Sequence, residues 1–154
     1  MITRAKLLRF AGEFRGKLLT SDPRPFIKSA AMSDEDLYHD WVVFENNLIK
    51  AKYNPKEIEE VARAFTFSYV GHLYAENRKS GEPYFKHLFR ATTRVVQDQI
   101  DLDIKSVETT SNTLLHDVVE EAEKSGVLLL SFGFFTVGMI RLHFGQEIAY
   151  DVLC

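Results

Sequence analysis

The segment from His116 to Glu121 carries the residue types that most readily perform chemistry, and it reads His-Asp-Val-Val-Glu-Glu. On a helix, side chains three and four positions apart share a face, so Glu120 lies beside both His116 and Asp117. Imidazole and carboxylate ligands suit a divalent cation such as Mn²⁺, Zn²⁺ or Fe²⁺, and the cation relieves repulsion between crowded carboxylates. The remaining carboxylates could orient or deprotonate a metal-bound water. An amphipathic helix with a solvated acidic end explains the same hexapeptide, and both interpretations stand at this point.

A second segment, residues 78–87, reads Arg-Lys-Ser-Gly-Glu-Pro-Tyr-Phe-Lys-His. Its two cations precede a Ser-Gly turn and could contact phosphates or a base, because guanidinium both pairs with oxygens and stacks on rings. An ordinary connection between two helices with solvated charges is the alternative. His87 lies in one predicted helix and His116–Asp117 in the next, so antiparallel packing would bring three ligands together.

Residues 78–84 and 114–121, which read RKSGEPY and LLHDVVEE, resemble the His-Asp (HD) hydrolase domain of the RelA/SpoT group. That group contains the (p)ppGpp 3′-pyrophosphohydrolases, both bifunctional synthetase/hydrolases and small stand-alone alarmone hydrolases. The resemblance covers the range from Pro55 to Glu121 well and the range from Phe144 to Asp151 weakly. It implies an all-α HD-domain helical bundle and Mn²⁺-dependent removal of the 3′-diphosphate from ppGpp or pppGpp.

The resemblance also implies a role for each motif residue. The implied metal ligands by motif position are His87, His116 and Asp117, and Asp151 is the carboxylate nearest to the fourth ligand position. The implied catalytic pair, which positions and activates the attacking water, is Glu120 and Glu121. The implied nucleotide contacts are Arg78, which would stack on guanine, and Lys79, Ser80 and Tyr84. In this chemistry the metal lowers the pKa of the water and neutralises phosphate charge in the transition state.

The chain departs from the family pattern at several positions. Glu121 stands where the family usually has aspartate, and His87 is not followed by the usual proline. The connection between Glu121 and Phe144 is longer than usual, and much of the excess, residues 126–135, is apolar. This excess could form a partner surface or pack against the N-terminal residues.

The last metal ligand of the family is displaced in this chain. Its position falls on Leu153, and the nearest carboxylate, Asp151, lies about 200° away around a helix. The displacement favours a catalytically weak or inactive HD module that binds nucleotide or a partner protein. An HD phosphohydrolase for another nucleotide is a further alternative, although it would leave the RKSGEPY segment without a role.

The elements that would position these residues are helices, because apolar residues recur at helical spacing through most of the chain. The predicted helices cover residues 5–19, 37–51, 55–75, 83–100 and 103–121, and shorter ones follow at 135–143 and 146–153. Ser33, Asn54 and Asp103 are the predicted N-caps. The sequence therefore predicts an all-α fold with an N-terminal helical extension and linker over 1–54. An HD hydrolase-like domain over 55–154, incomplete at its C-terminus, would follow.

Composition places the chain in a broad class. Its 154 residues are 45% hydrophobic and carry a net charge of −3, as expected for one ordered domain without a general affinity for nucleic acid. A single cysteine excludes an internal disulfide, and the charge-free run 125–140 is shorter than the roughly 20 residues that span a bilayer. We expect a cytoplasmic protein that binds (p)ppGpp but neither nucleic acid nor membrane. It would act as a homo-oligomer or with a covalently following domain in a longer protein.

Overall fold

The computed structural model describes residues 1–15, 32–73, 82–116 and 118. Within them lie five helices: α1 (Arg4–Arg15), α2 (Asp34–Lys50), α3 (Pro55–His72), α4 (Tyr84–Leu102) and α5 (Val107–Leu115). Helices contain 81% of the described residues, and no strand occurs among them, which confirms the all-α prediction. None of these helices is long and apolar enough to cross a bilayer. Residues 16–31, between α1 and α2, and the helices predicted after residue 121 lie outside the described residues.

The central element is α3, because every residue from 64 to 73 is buried. The helix α1 packs mainly on α3 through Leu7, Phe10 and Phe14, while α4 and α5 cover other sides of it. The helix α2 lies against α4. Helices on both sides of residue 54 therefore contribute to one hydrophobic core, and the predicted domain boundary at that position stays a prediction.

An aromatic cluster joins α2, α3 and α4. The ring of Phe65 lies edge-on to Trp41, with centroids 5.3 Å apart, and edge-on to Phe85, with centroids 5.1 Å apart. Phe44 and Phe89 extend the cluster. Edge-to-face pairs of this kind contribute about 0.5–1.5 kcal/mol each beyond their buried area. The cluster fixes the rotation of the first turns of α4, and so it also fixes which side of that helix presents His87.

Two of the three predicted helix caps are confirmed. The Ser33 hydroxyl accepts a hydrogen bond from the backbone N–H of Asp36 at 3.1 Å. Asn54 and Glu57 form a complete capping box, in which each side chain accepts from the backbone N–H of the other, at 2.8 and 2.9 Å. Such reciprocal bonds satisfy two N–H groups that have no partner within the helix.

The third prediction, that Asp103 is the N-cap of the next helix, is wrong. Asp103 ends α4 instead of beginning α5, with a left-handed backbone (φ 55°, ψ 40°) that aspartate tolerates better than most residues. Its carboxylate accepts from Nζ of Lys52 at 2.8 Å. The cap of α5 is Ser106, whose hydroxyl accepts from the backbone N–H of Thr109 at 3.2 Å. The prediction failed because α4 continues past Ile100, so that the chain turns at the residue expected to start the next helix.

Candidate functional site

Three of the ten predicted site residues lie among the described residues. Tyr84 is the first residue of α4, His87 lies in its first turn, and His116 directly follows α5. The other seven lie outside the described residues: Arg78, Lys79, Ser80, Asp117, Glu120, Glu121 and Asp151. The geometry of the site can therefore be built from the two histidines and the helices that hold them.

The helices α4 and α5 form a hairpin whose connection, residues 103–106, is short enough to require antiparallel packing. At a rise of about 1.5 Å per residue, His87 lies roughly 22 Å from the end of α4 at Leu102. By the same measure His116 lies roughly 14 Å beyond the start of α5. Both histidines thus occupy the half of the hairpin remote from its loop, offset along its axis by roughly 8 Å. The predicted approach of the two motifs is consistent with this topology.

The side of α4 that carries His87 differs from the side that packs into the core. Successive helical residues are about 100° apart, so His87 lies about 200° from Phe85 and about 180° from Val96, both of which are buried. His87 itself is half-buried. The histidine is therefore presented away from the aromatic cluster.

His116 has a defined tautomer. Its Nδ1 lies 2.8 Å from the backbone carbonyl oxygen of Thr113. A carbonyl oxygen can only accept, so Nδ1 carries a proton, and in the neutral imidazole Nε2 then carries the lone pair. A backbone carbonyl orients many metal-ligating histidines in this way. With its side chain exposed, His116 thus fits the chemistry of a divalent-cation ligand through Nε2.

His72 provides a contrast. Its Nδ1 donates to the backbone carbonyl of Ser68 at 2.7 Å, one turn earlier in the same helix, and the side chain is only 1% exposed. The imidazole of His72 is therefore part of the core. The same kind of local bond, from Nδ1 to a backbone carbonyl three or four residues earlier, thus occurs in a buried histidine, His72, and in an exposed one, His116.

Two ion pairs hold the first turns of α4 on either side of His87. Lys86 Nζ donates to the Asp40 carboxylate of α2, and both side chains are largely buried, with 32% and 16% of their surface exposed. Arg90 pairs with Glu82 at 2.6 Å, just before the helix begins. Sequence reasoning missed both partners, because Asp40 lies in a different helix and Glu82 was considered only as part of the turn motif.

Within the described residues, no group of three or more histidine, cysteine, aspartate or glutamate side chains is arranged to hold a metal ion. This part of the chain contains only two members of the predicted ligand set, His87 and His116. The carboxylates that would complete the set, Asp117 and Asp151, lie outside the described residues.

Comparison of the chain with protein-family models, with curated proteins and with solved structures finds no match in any of the three. The resemblance to the RelA/SpoT hydrolase domain accordingly depends on the sequence motifs alone.

Proposed function

We propose that the chain is a metal-dependent HD phosphohydrolase that removes the 3′-diphosphate of (p)ppGpp. The observation that supports this proposal most is the α4–α5 hairpin. Two motifs separated by 29 positions, counted from His87 to His116, contribute one histidine each to the same half of that hairpin. Neither histidine belongs to the aromatic cluster that joins α2, α3 and α4.

In this proposal His87, His116, Asp117 and Asp151 hold the cation. A bound Mn²⁺ would supply a water of lowered pKa and neutralise phosphate charge. The Thr113 carbonyl keeps His116 in the tautomer that ligates through Nε2. Glu120 and Glu121 would orient the attacking water and accept its proton.

Substrate positioning would come from the segment before α4. Arg78 would stack on guanine, and Lys79, Ser80 and Tyr84 would contact the rest of the nucleotide. The ion pairs of Lys86 and Arg90 support this role, because they fix the first turns of the helix that follows the segment. A catalytic group held by rigid neighbours keeps the geometry that the reaction needs.

The test is release of diphosphate from ppGpp by the full chain with Mn²⁺, with a chelator as the negative control. We expect metal-dependent release that Asp117→Asn lowers by about a hundredfold or more, because a neutral amide is a poor ligand for a divalent cation. The matched control is Asp36→Asn, which neutralises an exposed carboxylate on α2 and should leave the rate unchanged. Release that survives the chelator, or an unimpaired Asp117→Asn variant, would overturn the proposal.

The second candidate is a catalytically weak or inactive module that binds a guanine nucleotide. The displaced carboxylate at Asp151 favours it, because the cation would lose its fourth protein ligand. A purified chain without metal that still binds ppGpp would select this candidate. In either case Arg78→Ala should weaken ppGpp binding and leave metal content unchanged, and equal affinity would remove Arg78 from the site.

Hydrolysis of a different nucleotide in preference to ppGpp would identify the remaining alternative, an HD phosphohydrolase of other specificity. Comparing ppGpp with GTP and dGTP under the same metal conditions separates the two enzymes. The comparison is informative because only ppGpp and pppGpp carry a 3′-diphosphate.

A further inference from the structure

A groove of about 290 Å³ lies between the C-terminal end of α4 and the N-terminal end of α5. Its apolar wall consists of Val95, Leu102 and Ile104, and Asp98 and Thr109 complete the rim. Leu102 is 68% exposed and Ile104 61% exposed. We call these five residues the hairpin groove. It lies at the loop end of the hairpin, roughly 12–22 Å along α4 from His87, and is separate from the candidate site.

The exposure of this apolar wall has a structural origin. The left-handed backbone at Asp103 turns the chain sharply, so the two large aliphatic side chains on either side of it lie outside the core. Single exposed aliphatic residues are common on protein surfaces. Here two of them border one concave surface with Val95, and such grouped exposure often marks a site of protein interaction.

The surroundings of the groove are acidic. Between Asp98 and Glu108 the sequence carries four carboxylates and one cation, Lys105. Lys105 is already paired with Glu57 at 2.8 Å, and Asp103 is paired with Lys52 at 2.8 Å.

Two carboxylates of this segment, Asp98 and Asp101, form no ion pair with any described residue. Among the described residues Asp98 forms no ion pair, even with Arg94 one turn earlier. The carboxylate of Asp101 accepts from the Gln97 side-chain amide at 2.9 Å but pairs with no cation in this part of the structure. The negative end of the α4 helix dipole adds to the negative potential at the same place.

We propose that the hairpin groove binds a basic amphipathic segment of a partner protein. One large apolar side chain of the segment would lie against Val95, Leu102 and Ile104, and lysine or arginine side chains would face Asp98 and Asp101. This is the helix-in-groove mode of recognition, with apolar anchors and complementary charges at the rim. A small molecule fits less well, because small-molecule sites enclose most of their ligand and this groove has widely exposed walls.

The test is fluorescence anisotropy of a labelled 14-residue amphipathic peptide of leucine and lysine, titrated with the full chain. We expect saturable binding that weakens about tenfold or more in Leu102→Asn/Ile104→Asn. Asp98→Lys should also weaken binding, and its effect should be larger at low salt than at high salt because salt screens exposed charges. All these positions are exposed, so the variants should keep the urea midpoint of the wild type.

Two controls make the experiment selective. Val43→Asn removes an aliphatic side chain of α2 that is 48% exposed, and it should not affect binding. A peptide with glutamate in place of lysine should not bind. Equal weakening by Val43→Asn, equal binding of the acidic peptide, or unchanged binding by Leu102→Asn/Ile104→Asn would each overturn the proposal. It would also be overturned if the chain dimerised and Leu102→Asn/Ile104→Asn abolished the dimer, because the occupant would then be a second copy.

Discussion

The two ends of the α4–α5 hairpin differ in how their polar groups are used. At the loop end, Tyr53 donates its hydroxyl proton to Gln99 Oε1 at 2.7 Å, and Gln99 Nε2 donates to the Thr110 hydroxyl at 2.9 Å. The backbone N–H of Ser106 also donates to Gln99 Oε1, at 3.1 Å. At the remote end, His87 is half-buried and His116 is exposed.

This difference separates stability from chemistry along one pair of helices. A buried polar network in which every member is satisfied specifies one arrangement of the chain, and here it fixes the turn and therefore the register of α4 against α5. That register decides where the two histidines lie. We infer that substitutions at the loop end should mainly change stability, and that substitutions at the remote end should mainly change ligand binding.

The largest effect on stability is expected from Gln99→Ala at the loop end. The substitution removes one hydrogen-bond partner from each of Tyr53, Ser106 and Thr110. Leaving a buried polar group unsatisfied costs about 1–3 kcal/mol. We expect the free energy of unfolding, measured by urea titration, to fall by about 3 kcal/mol. Gln97→Ala on the exposed side of the same helix should change it by less than about 0.5 kcal/mol. Equal effects of the two variants would remove the proposed role of the network.

Tyr53→Phe should have a smaller effect that depends on pH. Burial raises the pKa of the Tyr53 hydroxyl above its usual 10.0, although its hydrogen bonds with Thr110 and Gln99 oppose the shift. A raised pKa means that the folded state holds the proton more tightly than the unfolded state. The protonated hydroxyl therefore stabilises the fold fully below pH 10, and this stabilisation is lost as the pH rises through the folded-state pKa. We expect about 1 kcal/mol lower stability in Tyr53→Phe at neutral pH and a weaker alkaline loss than in the wild type. Tyr38→Phe should keep the wild-type alkaline loss, and a loss as weak as that of Tyr53→Phe would contradict the assignment.

The sequence predicted the helices well and their connections less well. Apolar spacing located α1 to α5, and local signals such as Asn54-Pro55 marked the start of α3, because capping depends on residues only a few positions apart. The turn at Asp103 was predicted wrongly, since two residues near it, Asp103 and Ser106, are both good caps and only packing selects between them. Local sequence therefore identified the elements but not the exact turn.

Long-range polar contacts could not be predicted at all. The network of Tyr53 joins residues 46 and 57 positions apart, and the Lys86–Asp40 pair joins residues 46 positions apart. No periodic pattern identifies such partners. Of the candidate site, the motifs supplied the residue types and the order of the two helices. The structure added the tautomer of His116 and the side of α4 that carries His87, neither of which depends on residue type alone.

Asn54→Ala tests how firmly the start of α3 supports the loop end. The side chain of Asn54 caps the helix, and loss of such a cap costs about 1 kcal/mol.

The capping box of Asn54 and Glu57 lowers the pKa of Glu57 below its usual 4.5, chiefly through the backbone N–H of Asn54 and then through Lys105. A lowered pKa gives stability that is present above pH 4.5 and lost as the pH falls through the folded-state value. Glu57→Gln should therefore reduce the acid sensitivity of unfolding, and an unchanged acid transition would contradict this assignment.

The smallest effect on stability is expected from His116→Asn at the remote end. The imidazole is exposed and its contact with Thr113 is local, so the metal-free variant should unfold within about 0.5 kcal/mol of the wild type. Nitrogen NMR of the wild-type imidazole in its neutral form should show the proton on Nδ1. Metal binding, by contrast, should weaken strongly in the variant if the proposed function holds. A loss of stability comparable to that of Gln99→Ala would mean that both ends of the hairpin are structural, and the division between a stabilising loop end and a reactive remote end would fail.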